Sequence, residues 1–200
     1  VQAGLFTFYG HKFRFSYDTF KIHLQKIDSI RMAVETDKKD QYGNPLIEDI
    51  GNLIQLTEAQ LYIDDPDNKS GLKRRSQYPI VNTMNYSYIF YDDIPGLEGI
   101  YDKKDFYFKI DPFNYENIDH YTMEDINLVG EFYGGKILKP MRQYLVIRDD
   151  NSLGFNMNIP PEGIEVYDGK GRLFNEISMS NNGLKGKGRL QYLTSSMTSE

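Results

Sequence analysis

The residues best suited to chemistry are two oxygen-rich turns. Asp64-Asp65-Pro66-Asp67-Asn68 gathers four oxygen-bearing side chains, and Asp149-Asp150-Asn151-Ser152 gathers another four. Hard cations such as calcium take several oxygen ligands from a short loop, so Asp64, Asp65, Asp67 and Asn68 are a candidate metal site. Neither cluster has EF-hand spacing. The same residue types build ordinary turns by hydrogen bonding to their own backbone, and that is the reading the sequence favours.

The tyrosines are the second candidate. The chain has 16 Tyr and 12 Phe but no Trp. A tyrosine offers a flat ring with a hydrogen-bonding edge, which suits stacking on a sugar. Tyr86, Tyr88, Tyr91, Tyr101 and Tyr107 form the densest group, and a carbohydrate-binding surface is one reading of them. Strand packing is the other, because these rings fit a pleated face.

Catalytic signatures are lacking. His11, His23 and His120 have no zinc-ligand spacing, and no Gly-x-Ser-x-Gly elbow is present. A glycosidase needs a pair of carboxylates. With 29 acids in the chain, pairs such as those among Glu131, Glu162 and Glu165 carry no information, and solvated strand ends account for them. A hydrolase therefore stands as a second alternative only. No cofactor is implied. Gly169-x-Gly171 and Gly186-x-Gly188 precede no helix, so they are not phosphate loops.

Composition narrows the classes further. The net charge is −6, which is unlike the basic footprint of a nucleic-acid binder. Zero Cys excludes disulfides and thiol catalysis, which suits either a reducing cytosol or an envelope compartment. No apolar run reaches the ~18 residues of a membrane-spanning helix. The chain begins at Val1 and ends in the polar run Thr194–Glu200, which reads as a segment of a longer polypeptide; a removed signal peptide explains Val1 equally well.

These residues must be carried by strands. Phe13, Phe15 and Tyr17 alternate with Lys12, Arg14 and Ser16, which predicts a strand with its aromatics buried. With runs at 3–9, 20–24 and 27–34 it predicts a four-stranded meander whose first hairpin turns at Gly10-His11. Residues 35–45 read as a charged loop. Leu53–Ile63 fits a helical face or a strand, and its β-branched residues favour the strand. Residues 64–76, with Lys73-Arg74-Arg75, read as a long polar loop open to proteolysis. Phe106, Phe108 and Ile110 alternate with Tyr107, Lys109 and Asp111, residues 117–123 suggest one short helix, and 126–132, 136–138 and 143–147 are further strands.

The stretch Ser152–Leu193 is the clearest β-writing. Leu153, Phe155, Met157 and Ile159 share one face. Asn181-Asn182-Gly183 sits between two extended runs and predicts a hairpin with a primed turn, pairing 170–180 with 184–194 near a sheet edge. Gly186 and Gly188 mark a bulge or a close approach. Lys170-x-Arg172 and Lys185-x-Lys187-x-Arg189 place cations on one face of each arm, as protection against edge-to-edge pairing. The prediction is an all-β, antiparallel curled sheet or sandwich of roughly a dozen strands. It forms one domain over residues 1–200, with a weak boundary at 64–77.

Three segments carry a resemblance: Leu61–Leu72, Gly99–Pro112 and Met179–Ser195. They resemble parts of large β-rich bacterial proteins, similar in style to the AsmA/TamB-like envelope proteins. The resemblance implies a non-catalytic structural or interaction module in the periplasm or cell envelope. Its expected partners are neighbouring β-modules of the same parent chain or another envelope protein, with a glycan as the alternative and no nucleic acid.

Overall fold

A computed structural model describes residues 1–199 and shows an all-β, antiparallel chain. Its strands are β1 (Gln2–Ala3), β2 (Phe6–Gly10), β3 (Phe13–Ser16), β4 (Lys21–Gln25), β5 (Ile27–Lys39), β6 (Pro45–Asp49), β7 (Glu58–Tyr62), β8 (Ile80–Thr83), β9 (Ser87–Phe90) and β10 (Phe106–Ile110). They continue as β11 (Asn114–Tyr115), β12 (Leu128–Gly134), β13 (Leu138–Ile147), β14 (Leu153–Asn158), β15 (Ile164–Val166), β16 (Gly171–Leu173), β17 (Glu176–Ser180), β18 (Gly183–Tyr192) and β19 (Ser195–Ser199). One 3₁₀ turn spans Pro66–Asn68.

The chain divides into two compact units. Unit 1 is Val1–Ile89 with Ile110–Leu128, and unit 2 is Phe90–Lys109 with the chain from Val129 onward. The loop at 64–77 joins β7 to β8, which pair directly from Ala59↔Thr83 to Tyr62↔Ile80, so it is a hairpin connection inside unit 1.

Unit 1 has two sheets, ordered β1-β2-β5-β6 and β11-β8-β7-β4-β3. The first extended runs are strands, but they do not form one meander. β2 pairs with β5 (Phe6↔Met32, Phe8↔Ile30), and β3 pairs with β4 (Phe13↔Leu24, Phe15↔Ile22). The chain changes sheet between Gly10 and Lys12 and again at Lys26. Lys12 and Lys26 turn the corners with φ of 60° and 53°. The His11 N–H donates to the Lys26 carbonyl at 3.1 Å and ties the crossings together. A Cβ at Gly10 would lie 2.5 Å from that carbonyl oxygen, so glycine lets the two backbones touch. β3 is left at a sheet edge, and Phe15 and Tyr17, expected inside, are 48% and 63% exposed.

Two further expectations change in unit 1, and the strand reading of Leu53–Ile63 holds in part. The charged residues 35–39 are strand, because β5 pairs with β6 from Ala33↔Asp49 to Lys39↔Pro45. Asp40 closes that hairpin, its Oδ1 accepting from the N–H groups of Tyr42 and Asn44 at 2.8 and 2.9 Å. Leu53–Ile63 resolves into bridges at Ile54 and Gln55 followed by β7. Residues 117–123 are turns rather than a helix: Asn117 has φ 54°, and Tyr121 and Thr122 are drawn out to bond and bridge Glu35. Phe6 of β2 meets Tyr115 of β11 and Tyr121 edge-on at 6.2 and 5.6 Å, so the two sheets share a core.

Unit 2 is an antiparallel meander. From β10 it passes to β12 and β13, then to an arm made of β14 and β15, an arm made of β16 and β17, and finally β18 and β19. Residues 159–163, with Pro160-Pro161, interrupt the first composite arm between β14 and β15. Strict alternation along β12 buries Leu128, Gly130, Phe132 and Gly134 on one face. The core is a run of rings: Tyr101 stacks on Phe106 at 3.9 Å, Phe106 meets Phe132 at 5.3 Å, and Phe132 meets Phe155 at 5.0 Å. Each buried phenylalanine contributes about 1.5–3 kcal/mol by leaving water.

The terminal hairpin pairs the anticipated arms, from Gly171↔Tyr192 and Leu173↔Leu190 to Glu176↔Lys187 and Ser180↔Gly183. Its turn is not the primed type. Positive φ falls on Gly183 (88°) and not on Asn181 or Asn182, which form the two-residue loop between the paired Ser180 and Gly183. The polar run after Tyr192 supplies β19, which pairs with Gly188–Tyr192; Glu200 lies outside the described residues. Among the described residues, β18 is therefore a sheet edge only over Gly183–Lys187.

Candidate functional site: an apolar groove in unit 2

The groove grows from the period of β18. Leu184, Gly186, Gly188 and Leu190 point to one side of the strand, and Lys185, Lys187 and Arg189 to the other. On the first side lies a concavity of about 470 Å³. The buried residues Val166, Leu173 and Ile177 contribute to its lining, as do the exposed side chains of Ile100 and Met197.

The two glycines open it. A Cβ at Gly186 would come within 3.0 Å of Leu173 Cδ1, so the leucine stands where a side chain would otherwise project. Gly188 has φ 119°, and a Cβ there would lie 2.5 Å from Asn175 Cβ, itself at a residue with φ 81°. Both arms of the hairpin bend at this point. The expected close approach is thus Leu173 at Gly186, and the Asn175 side chain with the Phe174 carbonyl at Gly188.

The polar groups of the groove are few and neutral. They are the hydroxyls of Tyr101, Tyr167 and Thr198, Ser199, and the backbone edge of β18. Tyr101 is 8% exposed, its ring held by Phe106, and its Oη accepts from the Leu184 N–H at 2.9 Å. That bond fixes a direction. The Leu184 N–H points away from β17, and in an antiparallel ladder the residue two further on repeats the orientation. The Gly186 N–H and C=O therefore also point away from β17, at an exposed position lining the groove.

The five tyrosines are divided between the two units. Tyr86 and Tyr88 belong to unit 1, and Tyr91, Tyr101 and Tyr107 to unit 2. Tyr91 is 0% exposed, and its hydroxyl donates to the Leu153 carbonyl at 3.3 Å; burial raises its pKa far above the ordinary tyrosine value. Tyr107 stacks on Tyr133 at 4.7 Å and tilts against Phe90 at 6.0 Å. Within a strand, alternation sends neighbouring rings to opposite faces.

The acidic turns organise their own loops. The Asp65 carboxylate accepts from the Asp67 N–H at 2.8 Å, capping the 3₁₀ turn. Asp64 accepts from the Asp65 N–H at 2.7 Å and from Asn68 Nδ2 at 2.7 Å. Asn68, 1% exposed, also donates to the Lys73 carbonyl at 2.6 Å and accepts its N–H at 2.8 Å. In the second cluster, Ser152 is 0% exposed; its Oγ donates to Asp150 Oδ1 at 2.5 Å and accepts the Asn181 N–H at 2.9 Å. Asn182 Nδ2 donates to the other Asp150 oxygen at 2.8 Å, so one acidic turn clamps the terminal hairpin loop. Burial by itself would raise the Asp150 pKa, but the hydroxyls of Ser152 and Ser180 outweigh it and hold the carboxylate below its ordinary range. Among the described residues no three or more His, Asp or Glu are grouped to hold a metal ion.

The carboxylates of Glu131 and Glu165 are engaged locally. Glu131 accepts from the Tyr133 hydroxyl at 2.7 Å. Glu165 accepts from Lys139 at 2.6 Å, which lowers its pKa, and the Glu162 backbone carbonyl accepts from Arg172 at 2.7 Å. A second concavity, of about 430 Å³, lies in unit 1. In its lining Lys38 pairs with Glu48 at 3.3 Å, and Glu35 Oε1 lies 3.0 Å from His120 Nδ1.

No family model, curated protein or solved structure matches this chain. Sequence reasoning missed the groove residues Leu173, Leu184 and Leu190. Their signal is present in Leu184-x-Gly186-x-Gly188-x-Leu190, where apolar and absent side chains alternate with cations.

Proposed function

We propose that this chain is a non-catalytic interaction module of a cell-envelope protein, working through the groove of unit 2. The observation that carries this reading is the lining: buried Val166, Leu173 and Ile177 are reached past two glycines, and the polar groups beside them are hydroxyls and strand backbone. Such a surface offers apolar contact and hydrogen bonds. The envelope setting is supported by the resemblance of Leu61–Leu72, Gly99–Pro112 and Met179–Ser195 to β-rich envelope proteins.

The test is a titration with anilinonaphthalene sulfonate, a fluorescent apolar probe. The unmodified protein should bind it saturably, and Leu190→Glu should weaken binding roughly ten-fold, about 1.4 kcal/mol, at unchanged far-UV circular dichroism. Equal binding by the two proteins would refute the groove, and turnover of ester or glycoside substrates would refute the non-catalytic reading.

A further inference from the structure

We infer that the outer face of the unit 1 sheet β11-β8-β7-β4-β3 binds an acidic oligosaccharide laid across its strands. This surface is separate from the groove of unit 2 and does not rest on the function proposed for it. Three observations define the ligand.

The first is an unbroken row. The strand registers set Arg14 opposite His23, His23 opposite Gln60, Gln60 opposite Asn82, and Asn82 opposite Asn114. Residues directly opposite one another share a face of the sheet. That face is the outer one, because Leu24, Ala59, Leu61, Val81, Thr83 and Tyr115, which alternate with the row, are buried on the other side. Arg14 and Asn114 are exposed, and the three residues between them are half-buried. At about 4.8 Å between neighbouring strands, the row runs about 19 Å. Each of the five carries a hydrogen-bonding group and none a carboxylate, in a chain with 29 acids against 23 Lys and Arg.

The second is the chemistry of the amides. Gln60, Asn82 and Asn114 each bring donors and an acceptor, and a sugar hydroxyl is both at once. Gln60 is held ready at the centre. Its Oε1 accepts from the Tyr62 hydroxyl at 2.8 Å and from Lys21 Nζ at 3.2 Å, so Nε2 is the group it presents to a ligand. A side chain fixed in advance loses less freedom on binding.

The third is the uneven charge. Arg14 lies at the β3 end of the row, and Lys21 stands two residues from His23 on the same face of β4. The Arg14 guanidinium suits a uronic acid carboxylate through two parallel hydrogen bonds. Acids bound the row elsewhere: Glu58 is two residues from Gln60 on β7, and Glu116 directly follows β11. A chain charged at every unit would meet them, whereas one alternating acidic and neutral sugars places a carboxylate at Arg14 and hydroxyls along the amides.

The experiment titrates the full, isotope-labelled chain with a hyaluronate tetrasaccharide, in which glucuronate alternates with N-acetylglucosamine, and follows backbone amide NMR shifts. The shifts should saturate below about 1 mM and concentrate on β4, β7 and β8. The neutral N-acetylglucosamine tetramer should bind at least roughly ten-fold more weakly. At unchanged far-UV circular dichroism, Arg14→Gln should weaken binding roughly ten-fold and Asn82→Ala roughly three-fold. Anilinonaphthalene sulfonate bound to the protein should not be displaced, so this inference and the groove reading fail separately. The inference is overturned if no saturable shifts appear on this sheet, if the neutral tetramer binds equally well, if both variants bind like the unmodified protein, or if the tetrasaccharide displaces the fluorescent probe. Tighter binding of a single-stranded oligonucleotide at the same salt would overturn it in favour of a nucleic-acid surface.

Discussion

Gly188→Ala is the substitution to which the terminal hairpin should respond most strongly. Alanine would have to hold φ near 119°, a strain of about 1–3 kcal/mol for a residue with a Cβ. Its Cβ would also stand 2.5 Å from Asn175 Cβ and 2.7 Å from the Phe174 carbonyl oxygen. Relieving that overlap in a packed hairpin adds about 1–3 kcal/mol. The expected loss is about 2–6 kcal/mol, read from urea unfolding of the tyrosine near-UV circular dichroism as a lower midpoint at unchanged slope. The two parts separate in a double-mutant cycle. Asn175 already has φ 81°, so Asn175→Gly suits its backbone and removes the atom that alanine strikes. The pair should recover at least about 1 kcal/mol relative to additivity, while the strain at 188 and the Phe174 contact remain. A loss below about 0.5 kcal/mol for Gly188→Ala, or strict additivity of the pair, would refute the reasoning.

Other consequences can be measured directly. Ser152→Ala leaves the Asn181 N–H without its acceptor and should cost about 1–3 kcal/mol, with faster amide exchange across Asn181–Gly183. Because Asp150 is held below its ordinary pKa, its stabilisation is present above pH ~4 and is lost as pH falls through the lower folded value; acid unfolding of Asp150→Asn should lack that contribution. Burial raises Tyr91 and Tyr115, and burial with Asp125 and Glu116 raises Tyr121 to about 12. The unfolded chain sheds these protons from pH ~10 while the folded chain retains them, so stability should fall as pH rises above ~10, and tyrosinate absorbance should appear together with unfolding. Asn68→Ala should speed tryptic cleavage at Lys73-Arg74-Arg75 several-fold, whereas calcium should leave the melting temperature unchanged, because the oxygens of that loop serve its own backbone.

Strand identity was legible in the sequence where alternation was strict, as at Phe106–Ile110 and in the terminal hairpin. Pairing was less so. Period two reports which face a residue occupies and not which strand lies beside it, so β2 and β3 read as a hairpin although each pairs elsewhere. Charge misled at residues 35–39, where cross-strand bonding to β6 holds a polar strand in place. The tyrosines misled in a similar way. A count of rings cannot separate Tyr91, sealed in the core, from Tyr86, which is 48% exposed. The groove was half legible: the glycines announced a close approach, but its floor comes from Val166, Leu173 and Ile177, brought beneath them by long-range pairing.

The excursion of residues 110–128 into unit 1 sets an order of events during synthesis. Unit 1 is not whole until Leu128 has left the ribosome, by which time residues 90–109 of unit 2 are already outside. Those residues include the Tyr101 and Phe106 rings, which wait for Phe132 and Phe155 to be made. The nascent chain thus carries exposed aromatic strands through the completion of its first unit, and this is the interval in which a chaperone would find it. For the same reason no single cut releases either unit: producing unit 1 alone requires residues 89 and 110 to be rejoined by a designed linker.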